Sequence, residues 1–354
     1  MEWSIIGVLL IINAALGGQQ LLLSLARNRS DQSGQPKDGS GKPAAPTQGL
    51  PEMTTAVVIT WWRELFKLSW AVVAVAVEAV KGRPWREFWP GVAAVLTVSI
   101  CSFTGVIENF GFVIIAKYSP HLWAPSINVY LLLLPIFTGL MFGSTVTKQH
   151  WIGTVLVLIG LAVPYVRLDS LEWLRHVIMS SGEPKHGLDS LDTKAIIWII
   201  VINLCLCSQQ VLNNKSVQLA TRKVSANAFV VWREIFKFGY ASLALAILAF
   251  IANVNVKQYV TGDWMVIVFA LGAGLTGYIY SWGFFVLSKY PVHTWVPYTN
   301  LYVVCLPFLS VWLLPNVNVR MGHILGTIIV GVGMVIGMSG SAKHKIERIT
   351  DKQG

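Results

Sequence analysis

The 354-residue chain reads as an all-α polytopic membrane protein, with ten transmembrane helices in two inverted five-helix repeats. Composition is the first reason. Hydrophobic residues make up 54% and charged residues 12%, where a soluble domain has about 25% charged. The second reason is the length of the apolar runs, since crossing a bilayer takes ~20 residues. The third is internal similarity. Ile12-Asn13 and Gln19-Gln20 recur as Ile202-Asn203 and Gln209-Gln210, and Trp62-Arg63-Glu64 with Phe66-Lys67 recurs as Trp232-Arg233-Glu234 with Phe236-Lys237. Lys117-Tyr118, Trp123, Pro125, Asn128, Tyr130 and Pro135 recur at one constant offset as Lys289-Tyr290, Trp295, Pro297, Asn300, Tyr302 and Pro307. A duplicated apolar unit of this size is the mark of an internal structural repeat.

Helices are expected at about 4–25, 54–80, 91–115, 122–142 and 149–166, which form the first repeat over residues 1–167. Within it, 27–53 is rich in Gly, Pro, Ser and Lys and has no counterpart later in the chain, so it reads as a mobile loop. Residues 168–193 are a linker, with a short surface helix expected around Leu168–Met179. The second repeat, 194–340, supplies helices at about 194–214, 225–252, 263–287, 293–314 and 321–340, and 341–354 is a polar tail. Met1-Glu2-Trp3 lacks a basic leader, so the first span is expected to stay as an anchor.

Five is an odd number of spans, so the second repeat enters the membrane with the opposite orientation. Lys and Arg divide almost evenly between the two sides. The short basic clusters at 81–86, 222–223 and 343–352 favour termini in the cytosol. The net charge of +10 comes without a basic stripe interleaved with aromatics, which argues against a nucleic-acid partner and for the lipid bilayer. Cys101, Cys205, Cys207 and Cys305 all fall inside spans and read as packing residues. The sequons at Asn28 and Asn214 lie against membrane boundaries and read as chance matches. No enzyme constellation is present, and no cofactor or metal site is implied.

The chemistry sits in the repeated charges. Arg63, Glu64 and Lys67 fall near the middle of the second span, and Arg233, Glu234 and Lys237 at matching depth in the seventh. A mid-membrane charge costs about 2.5–3.5 kcal/mol even on the gentler insertion scale, so these groups must face inward. Glu64 and Lys67, three apart, are spaced to pair, which leaves each triplet about one positive charge over. Two readings follow: salt-bridge networks holding the repeats together, or a cationic midplane site for an anionic substrate, which is preferred. Glu108 and Asn109 in the third span, against Tyr280 and Ser281 in the eighth, break the repeat. Glu108 is expected as a counter-charge to Lys67 or as a ligand contact. Asn128, Tyr130, Asn300 and Tyr302 could hydrogen-bond a sugar or stack on a base. The glutamine pairs read as interhelical bonds or cavity lining. Gly153, Gly160, Gly326, Gly331 and Gly333 read as helix-packing faces.

Several short stretches carry a resemblance. Ala26-Arg27, Thr54-Thr55-Ala56-Val57-Val58, Glu64-x-x-Lys67-Leu68, Gln149-His150-Trp151 and Lys289-Tyr290 resemble the nucleotide-sugar transporter family of the Golgi and endoplasmic reticulum. That family lies within the drug/metabolite transporter superfamily. The resemblance implies an antiporter that exchanges a cytosolic nucleotide sugar for a lumenal nucleoside monophosphate, with Lys67 on the phosphates. It implies a Golgi or endoplasmic-reticulum membrane, and a homodimer is compatible with it. Trp61-Trp62-Arg63 are extra residues before Glu64, and Val296 stands where the family has a second lysine. The arginines at 63 and 233, with Tyr118-Ser119-Pro120 and Pro135, equally resemble the superfamily's metabolite exporters of amino acids or organic anions. A non-transporting membrane scaffold or receptor is the reading from another class.

Overall fold

A computed structural model describes residues 3–33, 50–118, 123, 126–143, 147–163, 192–251, 264–288, 290, 295, 296, 299, 302, 322, 324–333 and 335–337. Helix α1 runs Trp3–Ser33, α2 Leu50–Val80 and α3 Val92–Ile115, with a 3-10 turn at Trp85–Phe88. A second 3-10 turn, Ser126–Val129, leads into α4, Tyr130–Phe142; α5 is Lys148–Ala162. Then come α6, Thr193–Leu219; α7, Ala226–Phe250; α8, Trp264–Leu287; and α9, Ile324–Gly337. Among the described residues every regular element is helical. Four helical stretches, Ile5–Arg27, Trp85–Ile115, Thr193–Leu219 and Trp264–Leu287, are long and apolar enough to cross a membrane, as in a helical membrane protein.

Two expectations need correcting. Residues 27–33, assigned to the loop, continue α1, and 50–53 already belong to α2. Arg27 is buried there, and its guanidinium donates to the Glu52 carbonyl at 3.4 Å, tying one helix end to the next helix start. Residues 34–49 lie outside the described residues, as do 168–191, the expected surface helix among them, and the tail. The fourth span begins as a 3-10 turn, and its α-helix starts only at Tyr130. Of the expected span 293–314, only Trp295, Val296, Thr299 and Tyr302 are described.

The chain divides into two compact units that cut across its sequence halves. One comprises Met1–Lys117 and Ile197–Pro291, the other Tyr118–Ile196 and Val292–Gly354. In the first, α1 packs along α8, α2 against α7 and α8, and α3 against α7 and α2. Glycines allow close approach of neighbouring side chains. A Cβ at Gly283 would meet the Ile12 side chain of α1, and one at Gly111 would sit 2.8 Å from Ile202 and from Trp198 of α6. The turn between α2 and α3 is strapped to α7 by Ser225 N–H on the Glu87 carbonyl at 3.2 Å and Trp232 Nε1 on the Phe88 carbonyl at 3.1 Å. Beside it Arg83 lies 2.9 Å from Glu78 and 2.8 Å from Glu87. The hydrogen bond to Glu78 holds the Arg83 guanidinium above its ordinary pKa.

The first unit is polar inside and apolar outside. Val92, Leu96, Ile100 and Phe103 form one exposed stripe on α3, while Ser102, Glu108 and Asn109 on the same helix are buried. Spacings of four, four and three put the stripe on a single face, and lipid is the solvent that suits it. In the second unit, Gly153 and Gly160 of α5 meet the backbone of Gly333, Gly337, Gly326 and Val330 in α9, so the helices touch where only glycine fits.

Candidate functional site: a buried charge cluster

Seven ionisable side chains converge inside the first unit. Arg63, Glu64 and Lys67 come from α2, Glu108 from α3, and Arg233, Glu234 and Lys237 from α7; none is more than 5% exposed. The two triplets meet because α2 and α7 lie face to face. Lys67 Nζ contacts Glu234 Oε1 at 2.9 Å, an ion pair without hydrogen-bond alignment. The ammonium also lies 4.9 Å from the centre of the Tyr280 ring, a cation–π distance.

Glu64 is held differently. Its Oε1 accepts from Arg63 Nη1 at 3.0 Å and from Asn109 Nδ2 at 2.8 Å. The pairing of Glu64 with Lys67 expected from their spacing is therefore replaced: Glu64 takes its own neighbour Arg63, and Lys67 reaches across to α7. Arg63 Nη2 donates to Tyr280 Oη at 3.2 Å, so α8 completes this half.

The other half is built from different partners. Arg233 Nη2 donates to Gln209 Oε1 at 2.6 Å and Nη1 to Ser281 Oγ at 3.3 Å. Gln209 passes the contact on, its amide donating to Glu108 Oε2. Glu108, expected as a counter-charge to Lys67, instead answers Gln209 and, through it, Arg233; the counter-charge that Lys67 meets is Glu234. Ser102 Oγ donates to the Arg233 carbonyl at 2.9 Å, fixing α3 to α7 beneath the site.

Lys237 stands apart. It is fully buried, and among the described residues its ammonium has no hydrogen-bond acceptor and no carboxylate in ion-pair range. It folds over Gly105, where a Cβ would collide with its Cε and Nζ and lie 2.9 Å from Gln209 Oε1. The matching glycine, Gly277, is looser: a Cβ there would be 3.3 Å from Lys67 Cδ and 3.5 Å from Gln19 Oε1.

Sequence reasoning did not assign Gln209, Ser281 and Ser102 to the site. The signal for Gln209 was present, a Gln-Gln pair repeated inside apolar spans. Asn128, Tyr130 and Tyr302 belong to the second unit and are buried there. Asn300 lies outside the described residues. Asn214, the second sequon, is buried, its side-chain amide donating to the Ser288 carbonyl at 2.6 Å and the Tyr290 carbonyl at 3.1 Å.

No protein-family model matches the chain, and no curated protein matches it. One solved structure, described as "Crystal structure of protein", is similar over 92% of this chain and 96% of its own, at 14% identity with a TM-score of 0.49.

Proposed function

We propose that the protein is a nucleotide-sugar transmembrane transporter with ten spans in two inverted repeats. It would exchange a cytosolic nucleotide sugar for a lumenal nucleoside monophosphate by alternating access. One observation carries the reading: four basic and three acidic side chains are buried together, which with every group ionised leaves one positive charge over. A buried charge without compensation is strongly unfavourable, and an anionic ligand is the natural compensation. Arg63, Lys67, Arg233 and Lys237 would neutralise phosphate; Asn109 and Tyr280 would contact base, ribose or sugar.

The packing of the first unit supports the repeat. The pairs α2 with α8 and α3 with α7 exchange under a two-fold that swaps α2 for α7 and α3 for α8. So do α2 with α3 and α7 with α8. The basic clusters at 81–86, 222–223 and 343–352 favour termini that face the cytosol, and the resemblance implies a Golgi or endoplasmic-reticulum membrane. The test is uptake into reconstituted vesicles of a panel of labelled nucleotide sugars, with and without internal nucleoside monophosphate. Uptake stimulated by the internal monophosphate is expected; none with any nucleotide sugar sinks the assignment.

A second reading is favoured by Val296, fully buried where the resemblance calls for a second lysine. With that cation replaced by an apolar side chain, a smaller organic anion or amino acid is the alternative cargo. Efflux of such solutes without nucleotide trans-stimulation would select it.

A further inference from the structure

The charge surplus of the cluster sets a condition on what can bind there. Arg63, Lys67, Arg233 and Lys237 outnumber Glu64, Glu108 and Glu234 by one, all of them buried. With all seven groups ionised, a ligand with one negative charge brings the cluster to balance. A ligand with two, such as a phosphate monoester above its second pKa of about 6, leaves one negative charge over. In a water-poor interior such a charge is removed by protonation.

The three carboxylates differ in what keeps them ionised. Hydrogen bonds donated to a carboxylate favour its charged form. Glu64 accepts two, from Arg63 and Asn109, and Glu108 accepts the Gln209 amide. Glu234 accepts none at either oxygen among the described residues; Lys67 at 2.9 Å is its ion-pair partner. From α2 it is faced by Lys67 and by Glu64, whose charge repels it, and along α7 by Arg233 and Lys237. From α8, Tyr280 lies against Lys67 and Arg63, and from α3, Glu108 is held by Gln209. An anion seated on Lys237 that also draws on Lys67 takes from Glu234 the contact that keeps it charged.

We infer that a doubly charged anion binds here together with one proton, taken from solvent by the Glu234 carboxylate, and that a singly charged anion binds without one. The inference rests on reading the cluster as an anion site. It means that two dianions exchanged across the membrane each carry a proton, so their exchange moves no net charge and no net proton.

Titration calorimetry of the purified full-length protein at about pH 8, where a phosphate monoester is dianionic, tests it in two buffers of different ionisation enthalpy. The probes are nucleoside 5′-monophosphates and their singly charged methyl esters. Uptake of about one proton is expected with the monophosphate and none with the ester. Because binding takes up a proton, monophosphate affinity should fall toward tenfold per pH unit as pH rises. In Glu234→Gln the monophosphate should still bind, with no uptake. Monophosphate binding without uptake, equal uptake with both probes, or uptake persisting in Glu234→Gln overturns the inference alone. Failure of both probes to bind overturns it and the anion-site reading together. Should Glu234→Gln fail to fold, the two probes on the native chain decide.

Discussion

Lys67 and Glu234, brought together from α2 and α7, meet at 2.9 Å with neither side chain exposed to solvent. The pair joins the two charged triplets across the middle of the unit. Its stability consequence is asymmetric. Removing one partner leaves the other buried without its nearest counter-charge, while removing both leaves an apolar contact. Lys67→Met or Glu234→Leu alone should therefore destabilise the folded protein by about 3–5 kcal/mol, and the double variant by much less. Thermal unfolding in detergent, analysed as a double-mutant cycle, measures the difference. Additive losses would show that the two residues do not depend on each other.

Two glycines on α3 separate site from scaffold. A Cβ at Gly105 meets the end of the Lys237 side chain, which can swing aside, whereas a Cβ at Gly111 meets Ile202 and Trp198 at 2.8 Å. Gly105→Ala should leave unfolding nearly unchanged and weaken anion binding, because it displaces the Lys237 ammonium. Gly111→Ala should lower stability by about 1–3 kcal/mol through overpacking and leave the affinity of the surviving folded protein alone. Paired melting and ligand-titration curves for both variants check this; a binding defect in Gly111→Ala only would reverse the assignment.

Much of this arrangement was legible in the sequence because it is local. Spans such as 91–115 and 263–287 are fixed by long, mostly apolar runs, and α3 and α8 start within one residue of those bounds. The inward placement of both triplets followed from the cost of charge in lipid. The partners did not follow, because they are tertiary. Spacing of three suggested Glu64 with Lys67, but α7 presents Glu234 to Lys67 and α3 presents Asn109 to Glu64. Its sequence context marks Gln209 only as cavity lining or an interhelical donor; that it links Arg233 to Glu108 depends on α6 lying beside α3, which no local pattern encodes. The same limit hid the interleaved units, since each draws on both halves of the chain.

Topology can be tested without a ligand. The proposed ten spans and the basic clusters put both termini in the cytosol and residues 34–49 on the opposite face. Epitope tags at Met1 and Gly354 should be accessible in selectively permeabilised cells that exclude antibody from organelle lumens, and a tag within 34–49 should not be. Termini on opposite faces would eliminate an even number of spans, and the inverted five-plus-five arrangement with it.

The last prediction concerns the two lysines, which the repeat makes equivalent and the structure does not. Lys67 is engaged by Glu234 and the Tyr280 ring, whereas Lys237 is buried with no acceptor among the described residues. An incoming phosphate would meet Lys237 without first displacing a partner, and a charge-assisted hydrogen bond is worth about 1.5–3 kcal/mol. Lys237→Gln should therefore weaken nucleoside monophosphate binding on the order of ten- to a hundredfold, with little loss of stability. Lys67→Gln should cost more in stability, since it strands Glu234, and less in affinity. Uncharged nucleosides should compete poorly with either nucleotide form in the native protein, because the cations offset the desolvation of charge and offer a neutral ligand nothing. Competition binding and melting temperatures for the two variants distinguish these outcomes. Equal effects of the two substitutions on affinity would mean that both lysines contact the ligand alike, and a nucleoside binding as tightly as its monophosphate would remove the nucleotide from the proposed cargo.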